Sequence, residues 1–230
     1  MGQEVCRTIE DHEGIELVAE IDQGDSLELL TENGADVVVD FTVLDVARET
    51  LAFAAANSIH AVVGTTGFSD DDLDDVRARF TSSNALIAPN FAIGAVLMIR
   101  MAELAAPHFE TAEIIEFHHH DKRDAPSGTA THTAERMAAA SAVWAADPTT
   151  HEVYPGARGG AGPAGIRVHS VRMAGAVANQ EILLGAMGQT LTIRHDTTDR
   201  TSFMPGVLAG VKRVADFPGV TVGLDVYLGL

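Results

Sequence analysis

Residues 113 to 130 read EIIEFHHHDKRDAPSGTA, with three consecutive histidines, a lysine, two aspartates and a Ser-Gly-Thr turn in one short stretch. The chain has only two lysines, Lys122 and Lys212, so one of them lies between imidazoles and a glycine turn. Histidine exchanges protons near neutral pH. The lysine ammonium is a compact charge that bonds a carboxylate or stabilises developing negative charge. A Ser-Gly-Thr turn that opens a helix collects backbone N–H groups, and such an end holds a carboxylate or phosphate, its dipole contributing roughly 0.3–1 kcal/mol per charge near a surface. The set predicts proton delivery beside a bound small anion. His118 and His119 stand at a strand end, Lys122 in the following loop, and Ser127, Gly128 and Thr129 at the helix start.

Two plainer readings compete. His118, His119, His120 and Asp121 are all potential metal ligands, yet adjacent strand residues point to opposite faces and no HExxH or cysteine spacing accompanies them, so no metal is expected. A polar loop before a capped helix accounts for any one of these residues, and His120 and Arg123 are left to it. It does not account for the set.

The elements that position this stretch follow from the apolar pattern. From 15 to 91, short apolar runs alternate with amphipathic stretches, a rhythm of α/β structure. Strands are expected over 15 to 22, 35 to 42, 60 to 67 and 85 to 90, near-continuous in Val, Ile, Leu and Ala as buried parallel strands are. Helices are expected over 2 to 13 and 43 to 57, and after Ser69 as N-cap. Past an apolar helix near 92 to 106 the strands alternate instead, at 111 to 119, 165 to 173, 180 to 186 and 189 to 196. A helix begins near Ser127, and a Gly/Pro-rich stretch at 154 to 165 reads as a mobile loop. A last helix at 201 to 215 and a strand at 220 to 227 return to the first domain. The expected fold is therefore a Rossmann-like parallel sheet over 1 to 91 with 204 to 230, and an α+β substrate and oligomerisation domain with a mixed sheet over 92 to 203.

In a doubly wound sheet, ligands bind at the carboxyl ends of the strands. Those ends carry Asp22, then Asp40, Phe41 and Thr42, then Gly64, Thr65 and Thr66, then Pro89, Asn90 and Phe91. Glycine admits close approach of a cofactor, threonine hydroxyls bond a ribose or carboxamide, and an acid closing a strand suits a ribose hydroxyl. Each alone is an ordinary turn; their joint placement points to a dinucleotide. The glycine fingerprint that normally follows a first strand is not in the sequence, which opens on what reads as the helix after it, with Gly2 as the last glycine of the motif.

Composition narrows the class. The 33 acidic residues outweigh 15 basic ones, for a formal charge of −18, which makes nucleic acid an improbable partner and suggests adaptation to high salt. The longest uncharged apolar run, 92 to 99, meets Arg100 far short of a bilayer span, so no membrane partner is expected. A lone cysteine, Cys6, and no signal-peptide order at the start predict a reducing, cytoplasmic setting.

EIIEFHHHDKRDAPSGTA resembles the signature of the dihydrodipicolinate reductase family, nicotinamide-dependent enzymes of diaminopimelate and lysine biosynthesis. VVVDFT, VVGTTGF, APNFAIGAVLM, HSVRMAG and LTIRHDTTDRTSFMPGV resemble family segments in the same order, so the likeness runs the length of the chain. It implies reduction of a small cyclic dicarboxylate, 4-hydroxy-tetrahydrodipicolinate: hydride adds at one carbon and a proton is delivered to its neighbour. His118 would be the proton donor and Lys122 its assistant, with His119, Ser127, Gly128 and Thr129 on the substrate carboxylates. Gly64, Thr65, Thr66, Asn90 and Phe91 match nicotinamide-side segments, with Asp40, Phe41 and Thr42 nearby and Asp22 where an acid meets the adenosine ribose. Gln23 stands where some relatives carry an arginine for a 2′-phosphate, which favours NADH over NADPH. The resemblance also implies a homotetramer through the second domain, and places about a dozen residues, with the first strand, ahead of Met1. A catalytically silent homologue that binds metabolite or partner chains, a different nicotinamide enzyme, and a metal-dependent hydrolase are the competing functional readings.

Overall fold

The apolar runs of the first half form short parallel strands covered by helices, in a computed structural model that describes residues 1–230. Two units are present: Met1–Ile93 with Arg200–Leu230, and Gly94–Asp199. In the first, α1 (Gly2–Glu10) and a short α2 (Glu28–Glu32) precede β1 (Val37–Asp40), α3 (Leu44–Ala56), β2 (His60–Val63), α4 (Asp70–Arg79) and β3 (Ala85–Ile87). The strands lie in the order β1-β2-β3 and then β9 (Val220–Val222), all parallel, with Val37 opposite His60 and Ala61 opposite Ala85. Ala47, Leu51, Ala54 and Ala55 of α3 pack with Val38, Ala61 and Val63 in one apolar core, the small alanine side chains letting the helix approach the sheet closely. Ser69 caps α4 as expected, its hydroxyl accepting from the Asp72 N–H at 3.2 Å while the Asp72 carboxylate accepts from the Ser69 N–H at 2.9 Å.

Two expected strands are corrected. Residues 15–22 run without strand pairing, and no backbone hydrogen bond within the molecule involves residues 15–21. Strand identity requires a ladder, and the apolar sequence alone cannot provide one. A cavity of about 800 Å³ is lined by these residues, by Val37, Val38 and Val39 of β1, and by Val5, Cys6 and Ile9 of α1. The closing strand is also shorter than the apolar run implied. After α7 (Met204–Arg213), β9 covers only Val220–Val222, because Gly223 turns the chain at φ +97° and Asp225 opens α8 (Asp225–Leu228).

The second unit takes in α5 (Ile93–Ala105) from its second residue, Gly94, and continues through β4 (Thr111–His118), α6 (Gly128–Ala140), β5 (Gly160–Ala161), β6 (Arg167–Arg172), β7 (Ala178–Ala186) and β8 (Gln189–Thr197). Its mixed sheet has the order β5-β6-β4-β7-β8, with β4 parallel to β6 and antiparallel to β7. The Gly/Pro-rich stretch is not wholly irregular, since β5 forms within it and pairs with β6. On one face Ala112, Ile114, Val168, Ile182 and Leu184 form a core with Ala130, Ala134 and Met137 of α6. The central strand β4 therefore runs under α6, and its alternation sets which side chains reach the start of that helix.

Candidate active site

Every second residue of β4 faces α6: Ala112, Ile114 and Glu116 are buried in turn, and His118 is next in the row. A carboxylate at the third position interrupts an otherwise apolar series, and the Glu116 side chain is wholly buried. One oxygen accepts from Arg172 Nη2 at 2.8 Å and from the Ser127 N–H at 3.3 Å. The other accepts from Arg172 Nη1 at 2.9 Å and bonds His118 Nδ1. Arg172 reaches it because β6 pairs with β4 in a register that sets Arg172 opposite His118. Its Nη2 also donates to the Asp124 carbonyl at 2.7 Å, which ties the loop after β4 back to the sheet.

The loop and helix complete the cluster. Lys122 donates to both carboxylate oxygens of Asp124 at 2.8 Å, and its N–H bonds the His119 carbonyl in a tight turn. Ser127 is the N-cap of α6, its hydroxyl accepting from the Ala130 N–H at 3.2 Å. Gly128, in the first turn, is exposed, and the space a Cβ would occupy is open. His118, Lys122 and Ser127 are thus linked through Glu116, Asp124 and Arg172, while His119 and His120 lie exposed past the strand end. Thr129 lies in the first turn of α6, its carbonyl accepting from Thr133 Oγ1 at 2.7 Å.

Electrostatics follow the geometry. Burial pushes the Glu116 carboxyl up, but hydrogen bonds from Arg172, Ser170 and His118 outweigh it and hold the group below the usual carboxylate range. His118 is held below its ordinary value, chiefly by burial and further by the charges of Lys122 and Arg172, against the raising influence of Glu116. Burial and the two cations thus favour the neutral imidazole, and a dianion nearby would favour its protonated form.

In the first unit the predicted residues gather at the carboxyl ends of β1, β2 and β3, with one difference in kind. Asp40 is buried, and its Oδ1 accepts from the Thr42 N–H at 2.9 Å, the Thr42 hydroxyl at 2.8 Å and the Thr65 hydroxyl at 2.9 Å. These residues fasten two strand ends to each other. Phe41 packs on Phe91 with ring centroids 5.5 Å apart, and abuts Gly64, where an added Cβ would sit 2.1 Å from a ring carbon. Thr66 and Pro89 are exposed; Asn90 Oδ1 accepts from the Ala92 N–H at 2.8 Å and opens α5. Asp22 stands apart from these, in a turn with Asp25 that closes the unpaired segment. Among the predicted residues of this edge, Thr66 and Pro89, with Thr42, are the solvent-facing groups.

Sequence reasoning assigned no role to Glu116, Arg172 or Asp124. Glu116 was detectable from alternation alone, as an acid in register with Ala112 and Ile114. Arg172 and Asp124 were not, because their partners are set by strand register and loop closure.

Comparison with known proteins gives one family. The model for the N-terminal part of dihydrodipicolinate reductase matches residues 1–91, and that for its C-terminal part matches residues 94–228. The chain is 54% identical over 236 residues to 4-hydroxy-tetrahydrodipicolinate reductase of Nocardia farcinica, covering all of this chain and 95% of the relative. It is 51% identical over 234 residues to that of Mycobacterium ulcerans, with the same coverage. Among solved structures it is similar to a dipicolinate-bound dihydrodipicolinate reductase from Paenisporosarcina sp. TG-14, with TM-score 0.86 and 37% identity over 98% of this chain and 94% of the other. An amine dehydrogenase from Mycobacterium smegmatis, at 13% identity and TM-score 0.54, shares the fold alone.

Proposed function

The chain belongs to the dihydrodipicolinate reductase family, and from that premise we propose that it reduces 4-hydroxy-tetrahydrodipicolinate to tetrahydrodipicolinate in the route to diaminopimelate and lysine. The observation that carries the reading is the cluster in the second unit, where His118, Lys122 and the Ser127 end of α6 are linked through one buried carboxylate. Ser127, Gly128, Thr129 and His119 hold the two carboxylates of the substrate. Lys122 leaves Asp124 for a substrate carboxylate, exchanging one anion for another. His118 holds a proton at Nε2 and delivers it to the ring carbon next to the one that gains hydride. The atoms balance when the 4-hydroxyl leaves as water to give the conjugated dihydro ring, after which hydride and proton together saturate its carbon–carbon double bond and leave the ring imine in place.

Reduced nicotinamide supplies the hydride. Gly64, Thr66, Pro89, Asn90 and Phe91 would hold the nicotinamide side, with Asp22 toward the adenosine ribose, and NADH is the favoured donor because Gln23 follows Asp22. Asp40, Phe41, Thr42 and Thr65 act at one remove, by fixing the strand ends that present the others. A homotetramer, a cytoplasmic setting and tolerance of high salt, the last motivated by the charge of −18, complete the proposal.

The test is oxidation of NADH and of NADPH by the purified chain with freshly generated substrate. Turnover dependent on substrate, faster with NADH, is expected. No turnover with either cofactor, alongside retained metabolite binding, would return the protein to a binding role.

A further inference from the structure

Packing alone would put an apolar residue at position 116. The neighbours in its row, Ala112 and Ile114, are core residues under α6, and a fully buried carboxylate is unfavourable unless its oxygens are bonded. Here both oxygens are bonded, to partners with different duties: the Arg172 fork, the Ser127 N–H and His118 Nδ1, with the Ser170 side chain as a further partner. One carboxylate thus touches the proton donor, the helix start and the arginine that closes the intervening loop. A purely structural ion pair needs only the first of these.

We infer that Glu116 is a positioning residue for His118: it keeps the proton on Nδ1, leaves Nε2 as the nitrogen that carries the delivered proton, and supplies the counter-charge that lets an imidazolium form in a covered place. The inference rests on the proposed reductase reading only in taking His118 as the proton donor. The charges facing His118 are Glu116 on its own strand, Arg172 from β6, and Lys122 with Asp124 from the loop; its register partner on β7 is Ala178, which carries none. Glu116 is the carboxylate that bonds the ring directly, against two nearby cations and burial. Nδ1 is taken by Glu116, so only Nε2 is left to face a ligand.

Glu116→Gln keeps the size and one acceptor and removes the charge. In a profile of kcat/KM against pH, the limb on which activity falls as pH rises should move down by about one unit or more, the shift expected when a neighbouring opposite charge is lost. Activity above the limb then falls about tenfold for each unit moved. Glu116→Asp retains the charge and should bring the limb back toward its original position, at a reduced plateau. A uniform fall in both variants with the limb unmoved would overturn the role. Should Glu116→Gln not fold, NMR of the unaltered protein with isotope-labelled histidine decides instead, His118 being assigned from the signal lost in His118→Gln. The neutral ring should carry its proton on Nδ1; a proton on Nε2 overturns the inference. Failure of the unaltered chain to turn over substrate would sink the reductase reading and leave the tautomer result standing, so the two failures are distinguishable.

Discussion

Replacing Asp40 with alanine separates a fastener from a cofactor ligand. Asp40 Oδ1 accepts three hydrogen bonds, from the Thr42 N–H and hydroxyl and from the Thr65 hydroxyl, at 2.8–2.9 Å. Thr42 is exposed and recovers bonds to water, whereas Thr65 is buried and loses its acceptor outright. A bond to a charged acceptor contributes about 1.5–3 kcal/mol, and a stranded buried donor costs a similar amount, so the first unit should lose about 3 kcal/mol in Asp40→Ala. Asp40→Asn keeps an acceptor oxygen and loses only the charge-assisted part, about 1 kcal/mol. The assay is backbone amide exchange over β1 and β2, which should quicken roughly a hundredfold in the alanine variant and about fivefold in the asparagine variant. Trp144, the only tryptophan, lies in the second unit and serves as an internal control whose unfolding midpoint should not change. Exchange within about threefold of the unaltered chain, accompanied by weaker nicotinamide binding, would refute the argument and make Asp40 a direct ligand.

Lys122→Ala should reduce kcat/KM by about two orders of magnitude while leaving the Trp144 unfolding midpoint in place, because a carboxylate partner is removed from an exposed loop; steady-state kinetics that match the unaltered chain would contradict its role. Ser69→Ala removes the cap of α4 at a cost of about 1 kcal/mol, seen as several-fold faster exchange over residues 70–79; unchanged exchange would mean the cap contributes nothing. Acid should weaken the second unit. Burial pushes Glu113 and Glu116 up, but hydrogen bonds from Arg158 and His169 in one case and Arg172 in the other hold both below the usual range. Their folded values lie below the unfolded one of about 4.3, so the stability they contribute is complete above that pH and lost as pH falls through the folded values. The denaturation midpoint by Trp144 emission should be flat near neutrality and decline in that acid range; a midpoint constant down to about pH 3 would show that these pairs add no stability.

The parts legible in the sequence were those governed by periodicity and local chemistry. Val37 to Asp40, the Ala-rich face of α3, the Ser69 cap and the alternating strands of the second unit all follow from side-chain patterns a few residues long. Residues 15–22 misled because an apolar run states only that a segment wants burial, while a strand also needs a partner on at least one edge. The closing run at 220 to 227 misled because Gly223 and Asp225 outweigh its apolar character. At the site, His118, Lys122 and Ser127 were readable as chemistry, yet what binds them together was not. Arg172 lies more than fifty positions from Glu116 in sequence and meets it only through the β4–β6 register.

The slot beside β1 has a further consequence for handling the protein. On that side β1 pairs with no other strand of the sheet, and the recess next to it is lined by Val37, Val38 and Val39 together with Glu16, Glu20, Asp36 and Lys212. Mutual repulsion between bodies of charge −18 opposes the close approach of two molecules. Dissolved ions shorten the reach of that repulsion from about 10 Å at 0.1 M to about 3 Å at 1 M. Brine therefore relieves crowding among the carboxylates of one molecule and, by the same screening, lowers the barrier to aggregation between molecules.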